Sequence, residues 1–193
     1  MRTRVLLSLL VLLAAAPAAA QQTRAFRSTA GVSLELPAGW TRAPEETMAM
    51  LRRRLTATGS TITYEAGFRA GDAPFPAPPM VVIGFAPLPR RTTLEQFGAD
   101  FGSDEAQEEA QATADGRMPG VNVSTMRWDA QNGIGWVRAA FPEGQAIGYS
   151  LMAATLLPSG DRMFAVVYYG VRGDDEARVR ADLTAALRSL RAD

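Results

Sequence analysis

Val32, Leu34 and Leu36 alternate with Ser33 and Glu35, the period-two pattern of a strand with one buried face, and Pro37-Ala38-Gly39-Trp40 then turns the chain. Trp40 is expected to plug that turn into the core. Pro44, Glu45 and Glu46 suit a first helical turn, and Met48, Leu51 and Leu55 follow at helical spacing, predicting a helix over 44–56. Arg52-Arg53-Arg54 near its end complements the macrodipole as a solvated helix terminus, with an anion site as the alternative. Ile62, Tyr64, Ala66 and Phe68 alternate again as a strand; Pro74 to Pro79 forms a loop, since proline cannot donate to a ladder; Met80 to Ala86 is a continuous apolar strand. Thr92 and Glu95 read as a capping box for a helix bearing Leu94, Phe97 and Phe101 on one face. Ser103 recaps an acidic continuation through Ala114 whose only apolar residues are alanines, so it belongs on the surface or frays.

From Val121 the pattern becomes strand after strand: Val121 to Trp128, Ile134 to Phe141, Ala146 to Leu157 and Met163 to Tyr169, separated by Asn132-Gly133, Pro142-Glu143-Gly144 and Pro158-Ser159-Gly160-Asp161. The last of these is apolar on both faces, as expected of a central strand covered above and below. Asp174 is expected to cap a closing helix with Val179, Leu183, Leu187 and Leu190 along one stripe and Arg180 towards solvent. Together these elements predict an α+β fold with a mostly antiparallel sheet of about seven strands covered by helices.

Ahead of this pattern, Arg2 and Arg4 precede an apolar run from Val5 to Leu13, and Ala18-Ala19-Ala20 offers small side chains before Gln21. That is a three-part secretory signal over residues 1–20, leaving a mature chain, 21–193, of single-domain length; an uncleaved anchor is the alternative. The implied localisation is periplasmic or secreted, with no membrane anchor after cleavage. The leader takes two arginines with it, so 18 of the 20 basic residues face 20 acidic ones, a net charge near minus two without a nucleic-acid footprint. The 193 residues contain no cysteine, histidine or lysine. Their absence removes Ser-His, Cys-His and Ser-Lys pairs, Schiff bases, the Walker loop and the usual zinc, copper and haem ligands. No cofactor is expected.

The run Gly31-Val32-Ser33-Leu34-Glu35-Leu36-Pro37-Ala38-Gly39-Trp40, with a closing hairpin strand, a helix and Ser189-Leu190, resembles the opening and close of the PsbP-like superfamily, including bacterial envelope proteins of the DcrB type. The resemblance implies an α-β-α sandwich and non-catalytic accessory or binding roles. It carries over no residue role, because the superfamily shares no single functional motif.

Among candidate surfaces, Trp128 and Trp136 flank Asn132-Gly133 with Met126 and Arg138 beside them. A three-residue loop would set the two indoles opposite each other, giving a contact patch for a protein partner or small ligand; a two-residue loop would put them on opposite faces, and burial of at least one indole is the competing expectation. Asp100, Asp104, Glu105, Glu108 and Glu109 lack the spacing of a calcium loop and read as a solvated acidic face, with no metal expected. No motif identifies a catalytic residue. The function expected is an exported accessory or binding module of the bacterial envelope. A small carboxylate-dependent hydrolase and a self-associating structural protein are the alternatives.

Overall fold

Nearly all the expected strands join one sheet. The computed structural model describes residues 23–57, 61–70 and 74–193; the leader expected over 1–20 and its cut before Gln21 lie outside them. In chain order the elements are β1 (Thr23–Ser28), β2 (Val32–Pro37), β3 (Thr41–Arg42), α1 (Glu45–Ala57), β4 (Thr63–Arg69), β5 (Met80–Pro87), α2 (Leu94–Phe101) and α3 (Asp104–Arg117). They continue with β6 (Asn122–Asp129), β7 (Ile134–Ala140), β8 (Tyr149–Leu156), β9 (Arg162–Gly170), α4 (Glu176–Arg188) and β10 (Arg191–Ala192). Seven strands pair antiparallel in the order β3-β4-β5-β9-β8-β7-β6, and a smaller sheet has the order β1-β2-β10.

β9 lies at the centre of the large sheet, and its two-sided apolar sequence follows from that position. Phe164, Val166 and Tyr168 enter the main core with Phe26, Leu34, Leu36, Trp40 and Leu183, beneath the small sheet and α4. Ala165 and Val167 face the opposite side, under α1 and α2. The result is a layered α+β sandwich. Leu183 is fully buried, and the stripe of α4 covers the sheet as its spacing predicts.

The small sheet departs from the expected pattern. In β1 only Phe26 and Ser28 are buried, too little alternation to mark a strand, and β10 is two residues long. Beyond the packing of Phe26, Leu34 and Leu36 on the large sheet, the small sheet is joined to it at a β-bulge, where the β4–β5 register shifts between Tyr64 and Ala66, at Glu65. The Glu65 carboxylate accepts bonds from the Ser28 and Thr29 hydroxyls and, at 2.6 Å, from the Thr29 amide, fastening the β1–β2 turn.

Two helix starts differ from expectation by one residue. The capping box of α2 is formed by Thr93 and Gln96, not Thr92 and Glu95, because the Thr92 amide is committed to the Gly160 carbonyl at 2.8 Å. The N-cap of α4 is Asp175, not Asp174. Asp174 is engaged elsewhere, accepting from the Tyr168 hydroxyl and the Val171 amide at 2.9 Å each. Near the end of α1, Arg52 reaches the sheet, donating to the Tyr64 carbonyl at 2.8 Å and to Glu45 at 2.6 Å.

Candidate functional site

The acidic helix α3 meets the sheet through side-chain amides as well as through Ala114 and Ala110, which pack against Val121, Val123 and Ala139. Gln107 donates to the Val123 carbonyl at 2.7 Å, while Gln111 donates to the Val121 carbonyl at 3.2 Å and accepts from the Val123 amide at 2.7 Å. These bonds occupy part of the backbone of β6, an edge strand of the large sheet, and so blunt the sheet edge on which self-association would depend. Ala114 is the one buried residue of α3, and Ala106 and Ala110 face the sheet with it. Asp104, Glu105, Glu108 and Glu109 are exposed to solvent.

α2 is seated far more closely. A methyl group at Gly98 would lie 2.4 Å from the Trp128 indole, and one at Gly135 would lie 2.5 Å from the Phe101 ring. Two missing side chains therefore let α2 lie down on β6 and β7, with Phe97 edge-on to Trp128 at 5.8 Å. A helix drawn tight beside one lined with alanine leaves unfilled space. That space is a trench of about 710 Å³ between α2, α3 and the sheet. Its floor is Met163 of β9, Met152 of β8, Val137 and Ala139 of β7, and Met126 and Val123 of β6, with Phe97 and Phe101 as one wall. Among the described residues, the charged lining groups are Arg90, Asp100 and Glu109, all exposed residues at the rim; Arg90 and Asp100 approach to 3.8 Å. The interior is apolar, with pliable thioethers on three strands.

A second hollow, about 470 Å³, lies between the Pro37–Trp40 turn and the start of α4, and it contains Tyr168, Asp174, Asp175 and Asp182. Two of its carboxylates have structural duties: Asp174 binds Tyr168 and the Val171 amide, and Asp175 caps the Arg178 amide at 3.1 Å. The neighbouring tyrosines hold their protons. Burial pushes Tyr149 up to about 12, helped by the Asp174 and Glu176 carboxylates and opposed by Arg138. Burial and the bond to Asp174 likewise raise Tyr168. Neither phenol ionises near neutrality, so neither supplies a base for hydrolysis.

The four residues expected to form one patch are divided between the two faces of the sheet. The β6–β7 connection has four residues, Ala130 to Gly133, with Gly133 left-handed at φ 66°, and it pairs Trp128 with Gly135 and Arg127 with Trp136. Trp128 and Met126 therefore face α2 and the trench. Trp136 and Arg138 face α4, where Trp136 is buried in the main core. Arg138 donates to Glu176 at 2.9 Å and stacks on Tyr149, while Arg180 donates to Glu176 at 3.0 Å with its guanidinium 4.8 Å from the Trp136 ring centre. Arg180, expected in solvent, is largely covered by this network. Burial alone would raise the pKa of Glu176, but the bonds from Arg138 and Arg180 outweigh it and hold the carboxyl below its ordinary range.

Of the four, only Met126 lines the trench. Sequence reasoning did not single out Met152, Met163, Phe97 and Phe101 as a site. The available signal was the run of alanines on α3, which cannot fill the space opposite a sheet floored by methionine and valine.

No family model and no curated protein matches the chain. Among solved structures, it is similar over 94% of its length to the solution structure of cyanobacterial PsbP (CyanoP) from Synechocystis sp. PCC 6803, covering 99% of that chain at 11% identity with a TM-score of 0.53. A crystal structure from Bacteroides thetaiotaomicron VPI-5482 aligns over 90% of this chain and 49% of its own, at 14% identity and a TM-score of 0.45. The sandwich implied by the opening and closing sequences is thus present, and this chain has a PsbP-like fold.

Proposed function

We propose that this protein is an exported, non-catalytic binding module of the bacterial cell envelope, periplasmic or secreted, and that its ligand is an apolar small molecule held in the trench. The observation that carries this is the trench itself. Its volume falls within the ~300–1,000 Å³ typical of small-molecule sites, its floor is uncharged, and its charged groups stand at the rim. A non-catalytic role is favoured by the absence of histidine, cysteine and lysine and by the structural engagement of Asp174 and Asp175. Export is favoured by the signal pattern of residues 1–20, and an envelope role by the DcrB-like opening and close.

Titration with a neutral, environment-sensitive dye tests the binding reading. Saturable uptake at one site is expected, with Met126→Glu abolishing it and Met126→Leu preserving it. Absence of saturable uptake by the folded protein would exclude the trench as a binding site. Intact-mass analysis of protein from the cell envelope should find a chain beginning at or within a few residues of Gln21. Recovery in the membrane with residues 1–20 still attached would overturn export as a cleaved protein.

A further inference from the structure

Among the described residues, four of the chain's eight methionines line the trench. Met163 of β9, Met152 of β8 and Met126 of β6 belong to its floor, and Met118, the residue that ends α3, stands at its rim. Met126 and Met152 lie on either side of Val137 in one row across the sheet, since both pair with it. Met118 is 41% exposed and the three floor methionines are half-buried, whereas Met48 and Met80 are sealed in the interior at 1% and 5%. Met50 on α1, 42% exposed, is as open to solvent as Met118 but lies outside the trench.

Resting on the binding reading above, we infer that the four trench methionines are an oxidation site, and that their conversion to sulfoxides by a hydroperoxide releases the apolar ligand. The chain contains no cysteine, so thioethers are its only sulfur and no thiol of its own intercepts the oxidant. In the reaction with hydrogen peroxide the sulfur lone pair attacks one peroxide oxygen, and the O–O bond breaks as the S–O bond forms. The hydroxide that leaves takes the proton of the transferred oxygen and becomes water; sulfur is oxidised and the peroxide reduced. Each sulfoxide sets a strong acceptor on a floor whose neighbouring side chains, Val123, Val137 and Ala139, offer no donor. In the open trench water bonds to that oxygen. An apolar molecule lying over it removes the water and supplies nothing in return, which is costly. The softness that suits methionine to an apolar guest therefore also makes the site erasable.

The test treats the exported chain with mild hydrogen peroxide, then maps its peptides by mass and titrates it with phenylnaphthylamine, a neutral dye. Added oxygen is expected on Met118, Met126, Met152, Met163 and Met50, with Met48 and Met80 unmodified. Dye affinity should fall by about tenfold or more while circular dichroism shows the fold retained. Met118→Leu, Met126→Leu, Met152→Leu and Met163→Leu combined should keep dye uptake and make it indifferent to peroxide, because leucine and methionine interchange at similar volume. Met50→Leu should leave the sensitivity unchanged. Met152→Gln places a polar group on the floor without any oxidant and should reproduce the loss in a folded protein. Methionine sulfoxide reductase with dithiothreitol should restore uptake, the thiols passing to a disulfide and the oxygen leaving as water. Trench methionines that react no faster than Met48 and Met80 would overturn the oxidation site. Undiminished dye binding by the folded sulfoxide form or by Met152→Gln, or equal peroxide sensitivity of the leucine variant, would overturn the release. Failure of the untreated protein to take up dye would overturn the binding reading and the release with it, and the peptide map would then decide the oxidation site by itself.

Discussion

The two faces of the large sheet are built from the same strands and covered in opposite ways. On one face Phe26, Leu34, Leu36, Phe164 and Leu183 interlock beneath the small sheet and α4, with Trp136 shielded by Arg180. On the other, Gly135, Ala139, Ala154 and Ala165 meet α2 and α3, and a trench remains. Both faces are apolar, so hydropathy does not separate them. Side-chain volume does. Large residues opposite large residues close one face, while alanines opposite methionines and valines leave the other able to take up a molecule. The means of attachment differ too: α4 is held by buried leucines, and α3 by alanines and by glutamines bonded to a strand edge.

The contrast is most exposed to failure in large-to-small substitutions. Leu183→Ala should destabilise by about 2–5 kcal/mol because the closed face cannot collapse around the loss. Met126→Ala, on the partly open face, should cost less than about 1 kcal/mol. Denaturant unfolding measures both, and similar losses would mean that the faces are equally packed. Small-to-large changes sharpen the comparison at the next level. Ala186→Leu should cost about 1–3 kcal/mol by overpacking the closed face. Ala110→Leu, pointing into the trench, should be neutral or stabilising by up to ~1 kcal/mol while weakening dye uptake. A large loss from Ala110→Leu would show the trench to be filled already.

The smallest expected effect concerns the network that shields Trp136. Arg138 and Arg180 keep Glu176 below its ordinary range despite the opposing effect of burial. A carboxylate depressed in the folded state stabilises the protein above its unfolded pKa, roughly 4.3, and loses that contribution as pH falls through the folded value. Its side chain is 31% exposed, so the contribution should stay below about 1 kcal/mol. The stability difference between the parent and Glu176→Gln should therefore shrink on acidification from pH 6 towards pH 3. A difference that grows over that range would reverse the assigned sign.

The fold was legible wherever periodicity acted alone. The hairpins from β6 to β9 carry alternating or apolar runs punctuated by Gly and Pro, and α4 has a stripe with acidic residues at its start. Misreadings arose where distant partners decided the outcome. Asp174 would make an acceptable cap, but Tyr168 engages it; Thr92 would too, but its amide is bound to Gly160. β1 is a strand through its pairing with β2, with Glu65 bonded to the turn that joins them. The division of Trp128 from Trp136 depended on the loop length, since one residue of register reverses the face of every side chain. The trench was the least legible feature. Empty volume belongs to two walls together, and neither α3 nor the sheet records in its own sequence how far apart they stand.

The small sheet also has a kinetic consequence. β2 pairs with β1 immediately before it and with β10 at the far end of the chain, and the Glu35 amide donates to the Ser189 hydroxyl across 154 residues. A contact of that span closes a long loop, at an entropic cost that two short residues of β10 repay poorly until α4 has docked. The expected order is therefore central hairpins first, α4 next and the β2–β10 pairing last. Pulse-labelled hydrogen exchange during refolding should find the Glu35 amide protected after those of β8 and β9, and the reverse order would contradict it. The strand that opens the sandwich then acts as its latch, incomplete until the end of α4 is in place.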